Sequence, residues 1–153
     1  MALAIYQEKS TGVYEKISLV SETVDKMPIT TVHNGETGDS VELKLYVRAD
    51  DTKVYYSSIT AYPENLTATN YINGTSTGWG IKMRVGGIQP TPSEWEKISY
   101  GNTISFSNIG TSSIGNISTF LPFWVRIECP SNSPIRVKEG TSITLSYTEN
   151  LIM

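Results

Sequence analysis

The chain reads as an all-β domain in which two antiparallel sheets pack face to face, immunoglobulin-like or jelly-roll-like, with about eight strands and little or no helix. Three observations predict this. Apolar and polar residues alternate at a spacing of two in segment after segment. No window of a dozen residues keeps a helical period, and clusters of Gly, Asn, Pro and Ser cut the alternation into strand-length pieces. One apolar face per strand is best satisfied by burial against a second sheet; a closed barrel is the structural alternative.

Taken in order, the predicted strands are 16–20, 29–33, 40–48, 54–62, 79–86, 103–108, 123–129 and 142–148. In the third, Val41, Leu43, Leu45 and Val47 alternate with Glu42, Lys44, Tyr46 and Arg48. A short polar link, 49–53, leads into the fourth, where Asp50 and Asp51 suit a turn because their side chains bond nearby backbone N–H groups, so a hairpin is expected here. Tyr55 and Tyr56 then face opposite ways, and only one can be core. Trp79, Ile81, Met83 and Val85 share a face opposite Lys82 and Arg84, which assigns Trp79 to the core. Pro122 and Pro130 bracket the clearest strand: Phe123, Val125, Ile127 and Cys129 on one side, Trp124, Arg126 and Glu128 on the other. Ile143, Leu145 and Tyr147 oppose Ser142, Thr144, Ser146 and Thr148. The polar links 63–78 and 110–122 read as loops at the ends of the sandwich, and 86–92 as a corner between sheets.

The 153 residues fit one domain, 1–153, which by the usual scaling buries roughly 70% of the surface exposed by its unfolded chain. The chain is apolar at 1–6 and 151–153, and the segments 1–12 and 149–153 read as extended arms, each either adding an edge strand to its own sheet or pairing with a neighbour. The one cysteine, Cys129, has no internal disulfide partner and reads as a buried small hydrophobe. The apolar start is too short for a signal-peptide core, and no run approaches a membrane span, so synthesis and folding in the cytoplasm are expected. A net charge of −3 with scattered signs offers no basic stripe for nucleic acid. The sequons at Asn65, Asn73 and Asn116 are no more than an Asn-, Ser- and Thr-rich chain yields by chance.

No catalytic, cofactor or metal site is predicted. His33 is the sole histidine, which leaves a histidine-based metal cluster without a partner and makes any Ser-His-acid arrangement depend on one residue; it reads as a strand-end residue before a turn. The segment 34–39 lacks the alternating acidic positions of a calcium loop. Glu94 and Glu96 would share a face if extended, as a glycosidase pair must, but glutamates two apart are common on solvated strands. The glycines near Trp79 and at 86–87 lack a following Lys-Ser/Thr or helix to receive phosphate.

Aromatic residues are the remaining candidates, with nine tyrosines and three tryptophans. They can serve as anchors of a protein interface or as a platform for sugar rings. Trp124 is out of phase with its apolar neighbours and emerges beside Arg126 on the second face of its sheet, there to meet another subunit or to be covered by the segment 90–98 that carries Trp95. The interface candidates are therefore Trp95, Trp124 and Arg126, with Leu151 and Ile152 from the terminal arm.

In His33-Asn34-Gly35, in Gly38-Asp39-Ser40-Val41-Glu42-Leu43-Lys44-Leu45-Tyr46-Val47-Arg48, in Tyr55-Tyr56 to Pro63, in Gly78-Trp79 and in Pro122-Phe123-Trp124-Val125-Arg126 to Pro130, the chain resembles the small immunoglobulin-like β-sandwich proteins of tailed bacteriophage virions. These residues span roughly 30 to 148 and belong to strands and turns. The resemblance implies a structural role as capsid decoration or in the neck or tail, in several symmetric copies, exercised through surfaces and without an active site. Capsid, neck or tail subunits would be the partners, and no nucleic acid, membrane or cofactor is implied. The other reading is a carbohydrate-binding β-sandwich, or a virion protein that touches host glycans.

Overall fold

In the computed structural model, residues 3–16, 24–28, 31–49, 52–65, 68–75, 77–116, 119–133 and 141–153 are described, with 24–28 described as backbone only. They form a two-sheet antiparallel β-sandwich. Nine strands occur among them: β1 (Leu3–Ser10), β2 (Val13–Lys16), β3 (Val24–Pro28), β4 (Asp39–Ala49), β5 (Val54–Asn65), β6 (Gly80–Val85), β7 (Ile104–Ser105), β8 (Phe120–Cys129) and β9 (Thr141–Leu151). One sheet has the order β2-β1-β4-β8-β6, the other β3-β9-β5-β7.

The alternating residues of β4 and β8 do what their pattern requires. Leu45, Val47, Phe123 and Val125 are at most 1% exposed, and Leu3, Ile5, Ile81 and Met83 join them on the inner face of the first sheet. Against them the second sheet sets Val54, Tyr56, Ile59, Ala61, Ile143 and Leu145. In β5 the buried positions change parity, from Val54 and Tyr56 to Ile59 and Ala61, because a bulge between Ser57 and Thr60 inserts one residue. Ser58 stands there at φ 52°, the left-handed backbone that such an extra residue often needs.

Several expectations are corrected. β4 and β5 do not form a hairpin: both ladder sides of β4 are taken by β1 and β8, and β5 lies in the other sheet. The apolar start takes the first of its two readings and joins its own sheet, but not at the edge: Leu3–Ser10 lies between β2 and β4 with Leu3 and Ile5 wholly buried. At the other end β9 continues to Leu151 opposite Val54, and the amide of Met153 donates to the Ser112 carbonyl at 3.0 Å. Residues 31–33 are not a strand, and the strand before them ends at Pro28; 29–30 lie outside the described residues, as do 17–20 of the first predicted strand, which survives only as Lys16 at the end of β2. Pro122 and Pro63 sit inside ladders, opposite Tyr46 and Ile143, so these prolines do not mark strand limits. The predicted strand 103–108 shrinks to two residues, although Phe106 and Ile109 still reach the core and bond to Ile59 and Tyr56.

Burial is also less one-sided than the alternation implies. Ser142 and Thr144 on β9 are buried, and Thr144 donates to the Glu64 carboxylate at 2.7 Å. Lys82 is only 8% exposed on what should be a solvated face. The cause at Lys82 is the helix α1 (Pro92–Glu96), which the outer face of the first sheet carries. Thr91 caps it, accepting from the Glu94 amide while Glu94 bonds back to the Thr91 amide, and Pro92 fills the first turn.

Candidate functional site

The outer face of the first sheet is built in cross-strand rows. Register sets Ala4, Arg48 and Phe120 side by side, then Tyr6, Tyr46 and Pro122, then Lys44, Trp124 and Arg84, then Glu42, Arg126 and Lys82. These rows divide into a covered half and a partly exposed half.

The covered half is a polar network under α1. Arg126 donates to Glu42 at 2.8 Å and to Glu128 at 2.9 Å. The Trp95 indole N–H reaches Glu42 at 2.7 Å, and Lys82 donates to the Trp95 carbonyl at 3.1 Å. Lys82 also stands 4.5 Å over the ring of Tyr100, whose hydroxyl donates to Glu128 at 2.5 Å. Burial pushes the Glu128 carboxyl up, but Tyr100, Arg126 and Lys82 together bring it below the usual carboxylate range. The same bond to Glu128, with burial, raises the Tyr100 hydroxyl. Arg84 pairs with Glu94 at 2.6 Å, and with the Thr91 cap this holds the Glu94 carboxyl at about 2. All these charges are spent inside the molecule.

The other half is an aromatic and cationic patch. Tyr14 from β2 stacks on Phe120 from β8, ring centroids 4.2 Å apart and planes 27° apart. Tyr6 and Tyr46 meet Phe120 edge to face at 86° and 85°, and Tyr46 meets Tyr14 at 87°. The Arg48 guanidinium lies 4.7 Å from the Phe120 centroid and 5.7 Å from that of Tyr6, while Lys44 lies 5.6 Å from that of Tyr46. Each of these six side chains is half-buried. Tyr and Arg anchors of this kind dominate protein interfaces.

At the end of the sandwich where β4 begins, His33 lies in a loop, not at a strand end. Its ring is wedged between the Thr31 hydroxyl, 2.6 Å from Nε2, and Asp39 Oδ1, 2.5 Å from Nδ1. The Asn34 amide donates to Asp39 Oδ2 at 2.8 Å, and this bond is the main reason the Asp39 carboxyl sits below its ordinary value; burial opposes it and His33 reinforces it. Asn34 and Gly38 close the turn between them, as expected of 34–39.

The structure does not gather the predicted interface residues into one place. Trp95 is 2% exposed, covered by its own chain, and Arg126 is committed to two carboxylates. Trp124 is half-buried beside the patch, its N–H 3.3 Å from the Gly87 carbonyl. Leu151 is 77% exposed and Ile152 half-buried, on the second sheet. Glu94 and Glu96 are helical, two apart, and so share no face. Trp79 is half-buried at the rim of the core, edge-on to His33 and Tyr71. Sequence reasoning missed the patch because its rings come from four strands. The out-of-phase positions of Tyr46 and Arg48 were the only local signal.

No family model matches the chain, and no curated protein or solved structure shows significant similarity to it.

Proposed function

We propose that the chain is a structural protein of a tailed bacteriophage virion, made in the host cytoplasm, which binds other virion subunits of the capsid, neck or tail and catalyses no reaction. The virion setting rests on the resemblance carried by the strand and turn residues. The observation that supports work through a surface is the patch of Tyr6, Tyr14, Tyr46 and Phe120 with Arg48 and Lys44. Rigid rings lose little conformational freedom on contact, and arginine over an aromatic face is a frequent interface anchor. Three of the four ring pairs are near perpendicular, a poor platform for a sugar, which prefers coplanar faces in a groove.

The test is to image purified particles of the encoding phage and compare the parent with an Arg48→Glu, Phe120→Ser double variant. The parent is expected at fixed, symmetric positions, and the variant, folded by circular dichroism, is expected to be missing from them. Absence of the parent from particles would sink the virion reading. Normal incorporation of the variant would reject the patch as the contact. Saturable binding of the parent to glycans, lost in the variant, would favour the carbohydrate reading.

A further inference from the structure

We propose that His33, Asp39 and Cys129 form a binding site for one divalent metal ion of borderline softness, zinc foremost. Their ligand atoms all lie within 4.8 Å of one another. Asp39 opens β4 and Cys129 closes β8, and the two are direct cross-strand partners, so the ladder itself brings carboxylate and thiol together. The loop 31–38 then returns the imidazole to the same point. Gly38 permits this: its φ is +75°, and a Cβ there would meet Ser131 N at 2.9 Å and the Cys129 carbonyl at 3.0 Å.

The ligand types point to the ion. Imidazole, carboxylate and thiolate are the zinc set, and the sulfur disfavours calcium and magnesium, which want oxygen throughout. The surroundings fit as well. The His33 side chain is 6% exposed and Cys129 is buried, with the Trp79 ring 5.2 Å from the imidazole as a wall. Each of the two polar ligands is held from behind: Thr31 Oγ1 faces His33 Nε2 and the Asn34 amide holds Asp39 Oδ2, leaving Nδ1 and Oδ1 facing each other. Metal-binding histidines and carboxylates are commonly oriented by such outer partners.

Binding replaces the hydrogen bond between Nδ1 and Oδ1 and the one the Cys129 thiol donates to the Pro130 carbonyl at 3.4 Å. Two ligands about 2.0 to 2.1 Å from a tetrahedral ion stand roughly 3.3 Å apart, so the present 2.5 Å contact must open by under an ångström. A neutral ring moves its proton from Nδ1 to Nε2, where it donates to Thr31. The thiol gives its proton to solvent, one per ion bound, and water completes the fourth position.

The test uses the full chain stripped with a chelator. Cobalt(II) is expected to bind one per chain with a sulfur-to-metal charge-transfer band in the near ultraviolet, and zinc to displace it. Zinc is expected to raise the melting temperature of the parent. Asp39→Asn, which can still accept from the Asn34 amide, and Cys129→Ala are each expected to weaken zinc at least tenfold in competition with a chromogenic chelator and to abolish the zinc-dependent rise in melting temperature. Absence of the charge-transfer band in the parent would overturn the site, and so would unchanged zinc affinity in either folded variant. If Cys129→Ala does not fold, the cobalt spectrum of the parent together with Asp39→Asn decides.

Discussion

The Trp95 indole N–H donates to the Glu42 carboxylate at 2.7 Å, joining a helix of five residues to the middle of β4. So short a helix has no stability of its own. Its capping box sets its start, and the buried indole sets its position. Trp95→Ala is therefore expected to lower unfolding free energy by about 3 kcal/mol, read by denaturant titration, and to uncover Lys82. Trp95→Phe keeps most of the packing and loses only the N–H, at about 1 kcal/mol.

Arg126 binds two carboxylates on adjacent strands, and all three side chains are between 20% and 24% exposed. Arg126→Met is expected to cost about 1 to 2 kcal/mol at neutral pH, the discount from a fully buried pair reflecting partial solvent screening. The Glu128 carboxyl is held below its ordinary value, so the stability it adds is present above that value and lost as pH falls through the lower, folded one. The gap between parent and variant should narrow in acid, measured as melting temperature against pH.

Glu94 gives a sharper acid signature. Its carboxyl, set to about 2 by Arg84 and the Thr91 cap, should titrate near 2 in a carbon-detected NMR series, where an unperturbed glutamate titrates near 4.5. Its contribution is present above 4.5 and disappears as pH falls toward 2. Arg84→Gln should move that titration back up. Failure of the shift to follow Arg84 would remove the ion pair as its main cause.

Tyr100 packs directly on backbone that has no side chain. A Cβ at Gly80 would lie 2.4 Å from its ring, and one at Gly74 2.7 Å. Gly80→Ala should therefore displace Tyr100, break its bond to Glu128 and cost about 1 to 3 kcal/mol. With that bond lost, the raised Tyr100 titration should fall back toward 10, seen in ultraviolet absorbance on the alkaline side.

What the sequence disclosed and what it hid follow from the range of each interaction. The faces of β4 and β8 were legible because alternation is local, and so was the turn at 34–39. Which strands pair was not. The polar residues after β4 read as a hairpin turn, and only the competing claims of β1 and β8 on β4 put β4 and β5 in different sheets. Leu3, Ala4 and Ile5 read as an arm because their partners, 47 to 49, come much later in the chain. Thr91-Pro92-Ser93-Glu94 did carry a readable helix start, the capping box with proline in the first turn, and the surrounding β pattern masked it. The contacts of Glu42 with Trp95, and of Cys129 with the loop at His33, depend wholly on the assembled sheet.

The helix over one half of the first sheet has a consequence for how many neighbours the outer face can hold. Among the described residues of that face, Lys82, Arg126, Glu42 and Glu128 are bound within the molecule under the helix, and the half-buried aromatic cluster lies around Phe120. If the proposed contact is made there alone, the subunit has a valence of one: it can pair with its own copy about a two-fold axis, or seat on a larger body, but it cannot propagate a chain through that patch. Used in that way it would end an assembly, not extend it.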